Sequence, residues 1–462
     1  MSSAVETSVL RLAAIALLSA GLANCAHDRS APIDLGGSAT RLEARRIPVT
    51  PNGYLTYPEA LRLALANAAP VAQARAAYRS AVAASRTAQV RPAMTLTLTA
   101  EYSKDSDPQR PWLYGGLLDV PIDRARVRSA RIGAADLAVI KARYDLIEAV
   151  WATRMALRRA LSDREIARLE IETADRLAAL RRQRLEMLER RVAAGEDPRS
   201  VALLAATDLS VAARRQALAR GNLASAQAAL AAAMGVTSEA TADLETAGVD
   251  IASSPDWLPS SEDLLALRRD AAIGRADVLR TMIDYDLAEQ GLRTAIAGQY
   301  PQVTIGSGYT WERGLTKLPF NLALALPPTD LNRAAIREAE ARRVEAGTAV
   351  EAAQATIFAQ TDAARAALKA ADVDASRVRS EDLPLARHTL ALTDHAVALG
   401  ESDRTDALGA QAAVVDAELA VIDAGRLRAT AVADLEAATR HTADPAELTL
   451  LTDAVASLDS AP

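Results

Sequence analysis

Two hydrophobic periods run through this chain and change places at fixed points. Between Thr95 and Tyr102 the period is two: Leu96, Leu98, Ala100 and Tyr102 share one face, and Thr95, Thr97 and Thr99 the other. Val303, Ile305, Tyr309 and Trp311 alternate in the same way with Thr304, Gly306, Gly308 and Thr310. Trp112, Tyr114 and Leu118 predict another strand, and the row Leu318, Phe320, Leu322, Leu324 and Leu326 a fourth. The strands are expected at about 93–103, 111–120, 302–311 and 318–326, each roughly nine or ten residues, the length of a membrane-spanning β-strand. The polar, turn-rich segments KDSDPQR (104–110) and ERGLTK (312–317) separate the members of each pair.

Elsewhere the pattern predicts very long helices. No proline falls between Pro121 and Pro198, and Gly133 is the only glycine from 122 to 194. A helix there runs roughly 70 residues, about 105 Å at the α-helical rise. A second follows Pro327 and Pro328, which end the fourth strand; Thr329 and Asp330 can cap it, and it continues to about Leu399. Pro384 inside it predicts a local kink or interruption.

The chain is a duplication. PEALRLALANAAPVAQA (58–74) pairs with SEDLLALRRDAAIGRADVLRT (261–281), RPAMTLTLTAEY with YPQVTIGSGYTW, LLDVPIDRARVRSA with LALPPTDLNRAAIREA, and RVAAGEDPRSVALLAA with AVALGESDRTDALGAQ. The order is the same in both copies, and Pro92/Pro301, Pro121/Pro328 and Gly195/Gly400 are separated by similar intervals. Each half reads helix, strand, strand, very long helix, turn, long helix. The expected divisions are a signal segment at 1–24, an extended lead-in at 25–56, repeats at 57–250 and 251–442, and a tail at 443–462.

Composition adds three points. Alanine abounds while Phe occurs twice in 462 residues, so long helices must approach closely and pack like coiled coils. The net charge is −6 with no strong basic block, which argues against nucleic acid as a partner. The apolar run LRLAAIALLSAGLANC (10–25) has the length of an export signal and is too short to span a bilayer. It ends at Cys25, the only cysteine, so no intramolecular disulfide forms. Leu22-Ala23-Asn24-Cys25 resembles a bacterial lipobox and predicts lipidation of Cys25; Asn24 stands where Gly, Ala or Ser is usual, and the alternative is an incidental cysteine near an ordinary cleavage site.

The scarce aromatics gather at the strands: Tyr102, Trp112, Tyr114, Tyr300, Tyr309, Trp311 and Phe320. Trp and Tyr favour the membrane–water boundary. Four strands cannot close a barrel, and an open edge is not tolerated in lipid. Two copies give eight strands, whose interior fills with side chains; three give twelve, which begins to leave a channel.

On the duplicated plan, QYPQVTI (299–305) after a helix, the strand-to-helix joint at 326–333 and the glycine-turned helix hairpins, the chain resembles the TolC-type outer-membrane efflux protein family over about 57–440. The resemblance implies a mostly α fold with a small β membrane segment: a homotrimer whose twelve-stranded β-barrel, set in outer-membrane lipid of a Gram-negative bacterium, joins a long periplasmic α-helical barrel. It implies a passive exit duct of a tripartite efflux pump, working with a periplasmic adaptor and an inner-membrane transporter, without cofactor. Gly195, Glu196, Arg199 and Ser200, matched by Gly400, Glu401, Arg404 and Thr405, then lie at periplasmic tips that meet the adaptor. Asp406 stands where some members carry a pore-facing aspartate, and Gly409 where a second often follows. Solvated capping charge is the alternative for Arg199, Arg404 and Asp406. A duct for type I protein secretion and, in another class, a periplasmic coiled-coil scaffold are the other readings; a scaffold has no need of the strand alternation.

Other candidates carry little. His388 and His395, seven apart, lack further ligands for a metal. The cluster RRQRLEMLERR (181–191) reads as a solvated face or an adaptor contact. Asp284 and Glu289 belong to polar helix faces. No phosphate-binding loop, nucleophile elbow or convergent acid pair supports an enzyme.

Overall fold

The structure, a computed structural model, describes residues 31–47, 54–104, 111–242, 244–247, 261–312, 314–442 and 445–456. The signal segment and Cys25 lie outside the described residues, as do 105–110 of the first strand loop. The chain divides into two compact units, 1–45 and 46–462. Part of the lead-in, read as extended, is helical: α1 (Leu35–Glu43) forms because the Asp34 carboxylate accepts from the Gly37 amide and caps its first turn.

In the second unit the first repeat comprises β1 (Tyr54–Thr56), α2 (Tyr57–Asn67), α3 (Ala69–Gln89), β2 (Thr95–Tyr102), β3 (Trp112–Pro121), α4 (Ala125–Ala193) and α5 (Arg199–Met234). The short β4 (Glu245–Ala247) pairs in parallel with β1. The second comprises α6 (Ser261–Gly274), α7 (Ala276–Ala297), β5 (Gln302–Glu312), β6 (Leu315–Lys317), β7 (Phe320–Ala325), α8 (Arg333–Arg377), α9 (Leu383–Ala398) and α10 (Arg404–Thr439). The tail contains a further helix, α11 (Pro445–Ala456).

Helix α4 is 69 residues long, about 100 Å. Its counterpart is broken where Pro384 demanded it: a π-helical turn, Val378–Asp382, separates α8 from α9, and Pro384 lies in the first turn of α9, where its missing N–H costs nothing. Helix contacts run in the order α3–α4–α7–α8 beside the sheet and α5–α4–α10–α9 at the far end.

The seams follow the alanines. Ala205, Ala212, Ala219 and Ala226 of α5 are buried at strict heptad spacing, and Leu408, Ala412, Val415 and Leu419 of α10 are buried at alternating spacings of four and three. The largest core lies midway along α4, where Leu146, Val150, Leu157 and Leu161 meet Leu61, Leu65 and Val71 of α2 and α3, Leu230 and Met234 of α5, and Leu451 of α11. A polar knot crosses this girdle. Arg154, fully buried, donates to both oxygens of Glu447 (2.7 and 2.8 Å) and to Glu436 (3.1 Å), and lies over the Trp151 ring at 4.7 Å. Tyr57 and Thr442 donate to Glu447, and Arg158 pairs with Glu436 at 3.0 Å.

The sheet is an antiparallel meander, β2-β3-β5-β7, with β6 extending the β7 edge of β5. The fourth strand differs from its expected bounds. It begins at Leu315, inside the segment expected to turn, and breaks at Leu318 and Pro319 before resuming. Pro319 has no amide to donate to the ladder, but its carbonyl accepts from Gly308 (3.0 Å). Among the described residues, no helix is long and apolar enough to cross a membrane.

Candidate functional site: an open sheet and two helix tips

Directly opposite residues in a ladder share a face, so the register sorts the sheet. One face carries Leu96, Leu98, Ala100 and Tyr102 of β2, Trp112, Tyr114, Leu118 and Val120 of β3, Val303, Ile305, Tyr309 and Trp311 of β5, and Phe320, Leu322 and Leu324 of β7. The other carries Thr95, Thr97, Thr99, Glu101, Asp119, Gln302, Thr304, Gly306, Gly308, Thr310 and Asn321, with Leu113, Leu117, Pro121, Ala323 and Ala325 as its apolar members. Among the described residues neither face is covered at the outer strands: every residue of β2 and β7 is exposed.

The aromatics mark one end of the apolar face. Tyr102 meets Trp112 edge-on at 5.1 Å, and Tyr114 stacks on Trp311 at 4.9 Å, all beside the loops. Tyr300 stands exposed at the helix end. From Tyr300 to Trp311 the strand covers about 36 Å, or some 25 Å of depth once tilted as barrel strands are. That is the height of a membrane band. Phe320 lies between the two ends, opposite Ser307.

Each strand runs into its helix through a fixed joint. Arg124, at the start of α4, donates to the carbonyls of Ala297 (2.8 Å) and Tyr300 (2.7 Å). At the second joint Asn332 donates to Ala295 O (2.7 Å). Both joints therefore dock on the C-terminus of α7 and satisfy carbonyls that a helix end leaves free. Asp330 does accept amides at the start of α8, from Asn332 (3.0 Å) and Ala334 (3.1 Å). The helix nevertheless starts three residues later than Asp330, because Leu331 and Asn332 take left-handed φ of 54° and 60° in a tight turn. Arg128 and Arg131 likewise hold the C-terminal carbonyls of α3.

At the far end both hairpins turn on a glycine. Gly195 and Gly400 have φ of 77° and 76°, and the amides of Glu196 and Glu401 reach back to Arg191 O and Ala396 O (2.9 Å each), closing each helix with a left-handed cap. Glu196, Arg199, Ser200, Glu401, Arg404 and Asp406 are exposed. Thr405, expected on the contact surface, is buried, and its hydroxyl donates to Asp403. Asp406 accepts from the Ser402 hydroxyl (2.7 Å). Gly409 faces Arg184: a Cβ there would lie 3.7 Å from its guanidinium carbon, so that position abuts a neighbouring helix.

The two tips are tied by a pair that sequence reasoning passed over. Arg191 bonds Asp197 of its own turn (2.8 Å) and donates to Asp403 of the other. Asp403 also caps α10 through the Thr405 and Asp406 amides (2.7 and 3.0 Å). Partial burial would raise its carboxyl. The Thr405 hydroxyl, the Asp406 amide, Arg191 and the Thr405 amide outweigh this and hold it at about 2. Asp403 was legible as a helix cap in GESDRTDA; its bond to a residue 212 positions earlier was not. Within the cluster at 181–191, Arg181 pairs with Asp416 (2.8 Å) and Asp208 (3.3 Å), so part of it joins α4 to α5 and α10 and is not a free basic face.

His388 and His395 are exposed on α9, and among the described residues no cluster could hold a metal. Asp284 pairs with Lys141 (2.5 Å) and Glu289 with Arg343 (3.3 Å), ordinary ties between helices.

A sheet with one apolar, aromatic-rimmed face and one polar face, carried on helices of about 100 Å, defines a subunit of a β-barrel extended by helices. Residues 267–439 match the family described as Outer membrane efflux protein. Solved structures share the fold. VceC from Vibrio cholerae, an outer membrane protein, is 18% identical, with 82% of this chain and 95% of that one covered at a TM-score of 0.66. The CmeC outer membrane channel of Campylobacter jejuni is 13% identical, with 87% and 89% covered at 0.69. The open-state MtrE outer membrane channel of Neisseria gonorrhoeae is 18% identical, with 83% and 88% covered at 0.63. No curated protein matches the chain by sequence. By sequence in its second repeat, and by fold along most of its length, the chain resembles the outer-membrane efflux proteins.

Proposed function

We propose that three copies of this chain form the outer-membrane exit duct of a tripartite efflux pump, a passive conduit shut at its helix tips until a periplasmic adaptor engages them. The observation that carries this reading is the sheet: four antiparallel strands, the fourth made of β6 and β7, two segregated faces, and two edges left unpaired among the described residues. An even number of strands per copy lets β7 of one copy pair antiparallel with β2 of the next, so every junction in the ring has one geometry. Three copies give twelve strands and a lumen; two give eight, whose interior side chains fill. The test is the mass of the particle extracted from outer membranes in detergent, with planar-bilayer conductance on the same sample. A trimer of low, gated conductance supports the duct. A monomer or dimer that stays in solution without detergent removes it and leaves a scaffold.

The tips carry the gate in this reading. The bonds from Arg191 to Asp197 and Asp403 hold the two hairpins of each copy together, and the exposed Glu196, Arg199, Ser200, Glu401 and Arg404 offer the adaptor its surface. Asp406 of three copies forms the acidic ring. Arg191→Glu sets like charges against Asp197 and Asp403, and single-channel conductance is expected to rise severalfold; unchanged conductance would remove the clasp from the gate. Acid alone should not open it. Because the folded Asp403 carboxyl sits at about 2, below its unfolded value, the stabilisation it gives is complete above the unfolded value and lost only as pH falls through about 2. Wild-type conductance is therefore expected to stay the same from pH 7 down to about 5.

Cys25 adds a lipid anchor to barrel insertion in the same reading. Incorporation of labelled palmitate that survives Cys25→Ser would rule the anchor out.

A further inference from the structure

Asp119 lies two residues before the end of β3, on the polar face of the sheet. Its neighbours in the ladders are Thr95 on β2 and Gly306 on β5, and Gly306 faces Asn321 on β7. The carboxylate leans across β5. A Cβ at position 306 would stand 2.3 Å from Asp119 Oδ1 and 3.2 Å from the Asn321 Cβ, so a side chain there would push the carboxylate aside. Among the described residues, Asp119 Oδ1 is shielded and receives no hydrogen bond. Elsewhere on this face Glu312 is paired with Lys317, and Glu101 lies at the loop end, opposite Leu113. Asp119 is thus the acidic group of this face at the helix end, where the barrel passes into the helices, far from the tips.

We propose that Asp119 sets the charge selectivity of the barrel. The inference rests on the trimeric duct and goes beyond it. Threefold symmetry places the three Asp119 carboxylates at one height whatever the tilt of the strands. They then form a ring no single copy contains, with Asn321 and Thr95 of each copy beside them in the ladder rows. Fixed negative charge in a confined passage concentrates cations and repels anions. Cations therefore pass this level more readily than anions of the same size.

The experiment is the reversal potential of reconstituted trimers under a KCl gradient, for wild type, Asp119→Asn, Asp119→Glu and Asp406→Asn, with trimer mass confirmed for each. Wild type is expected to prefer potassium. Asp119→Asn, close to isosteric, should lower the potassium-to-chloride permeability ratio by about twofold or more, and Asp119→Glu should keep it. Hexaamminecobalt(III) added from the loop side gives a second measurement on the unaltered protein: it should block wild type and lose its effect on Asp119→Asn. The proposal is overturned if Asp119→Asn keeps both the wild-type ratio and the block, or if only Asp406→Asn moves the ratio, which would put selectivity at the tips. Intact trimers that conduct nothing would instead overturn the duct itself.

Discussion

Arg154→Ala is expected to cost about 3–5 kcal/mol, a large fraction of the 5–15 kcal/mol that typically separates folded from unfolded protein. The reason is what it leaves behind. Glu436 and Glu447 are 0% and 3% exposed, and both point at the guanidinium. Burial raises the Glu436 carboxyl, with Arg158 and Arg154 offsetting part of this. Burial would raise Glu447 too, but the hydrogen bonds and charge of Arg154, with Thr442 and Tyr57, hold it below its usual value. Burial likewise pushes Arg154 towards losing its proton, and its bonds to Glu447 and the charges of Glu447 and Glu436 more than reverse that. Removing the cation strands the buried Glu447 carboxylate, leaves Glu436 to Arg158 alone, and loosens α11 and the end of α10 from α4. The denaturation midpoint should fall sharply. Combining Arg154→Met with Glu436→Gln and Glu447→Gln should restore most of it, since neutral groups of similar volume remove the unpaired charge. If the single variant melts like wild type, the knot does not hold the girdle.

A charge placed in the leucine stripes should dissolve the trimer. Leu204, Val211 and Leu218 of α5 are 54–68% exposed at heptad spacing, and so are Leu385 and Leu392 of α9 and Leu399 at its C-cap, at 58–65%. These helices are the two outermost of the layer at the tip end. In the proposed trimer α5 of one copy lies against α9 of the next, and the two stripes pack as a coiled-coil seam. Burying six such side chains is worth on the order of 10 kcal/mol per seam before the cost of association is subtracted. Val211→Asp or Leu392→Asp sets an unpaired carboxylate inside that seam. Particle mass in detergent should drop from three copies towards one. Intact trimers with both seam variants would show that the stripes face something else.

The elements were legible because each depends on local chemistry. Alternation gave the strands, since a one-residue slip would turn every leucine of β7 to the other face. The absence of Pro, with Gly133 the only glycine, gave α4, and Pro384 gave the break before α9. What escaped the sequence depends on partners far along the chain. The fourth strand begins at Leu315 because β5 is there to pair it; by composition ERGLTK is a turn. Helix α11 looked like a tail because its buried anchor is a glutamate, which makes sense only beside Arg154. Arg124, Asn332 and Arg191 are unremarkable polar residues until the carbonyls and carboxylates they bind, up to 212 positions away, are brought beside them. The Asp119 and Gly306 pair was hidden for the same reason: each is common, and only the register sets the carboxylate against the glycine.

The two unpaired sheet edges also have a genetic consequence. In the proposed ring each junction joins unlike edges, β7 to β2, so a copy with one ruined edge still enters through its sound one and then prevents closure. Where intact and damaged alleles are expressed equally, only about one ring in eight is built wholly of sound copies. Defects in β2 or β7 should therefore behave as dominant, and losses that abolish folding altogether as recessive.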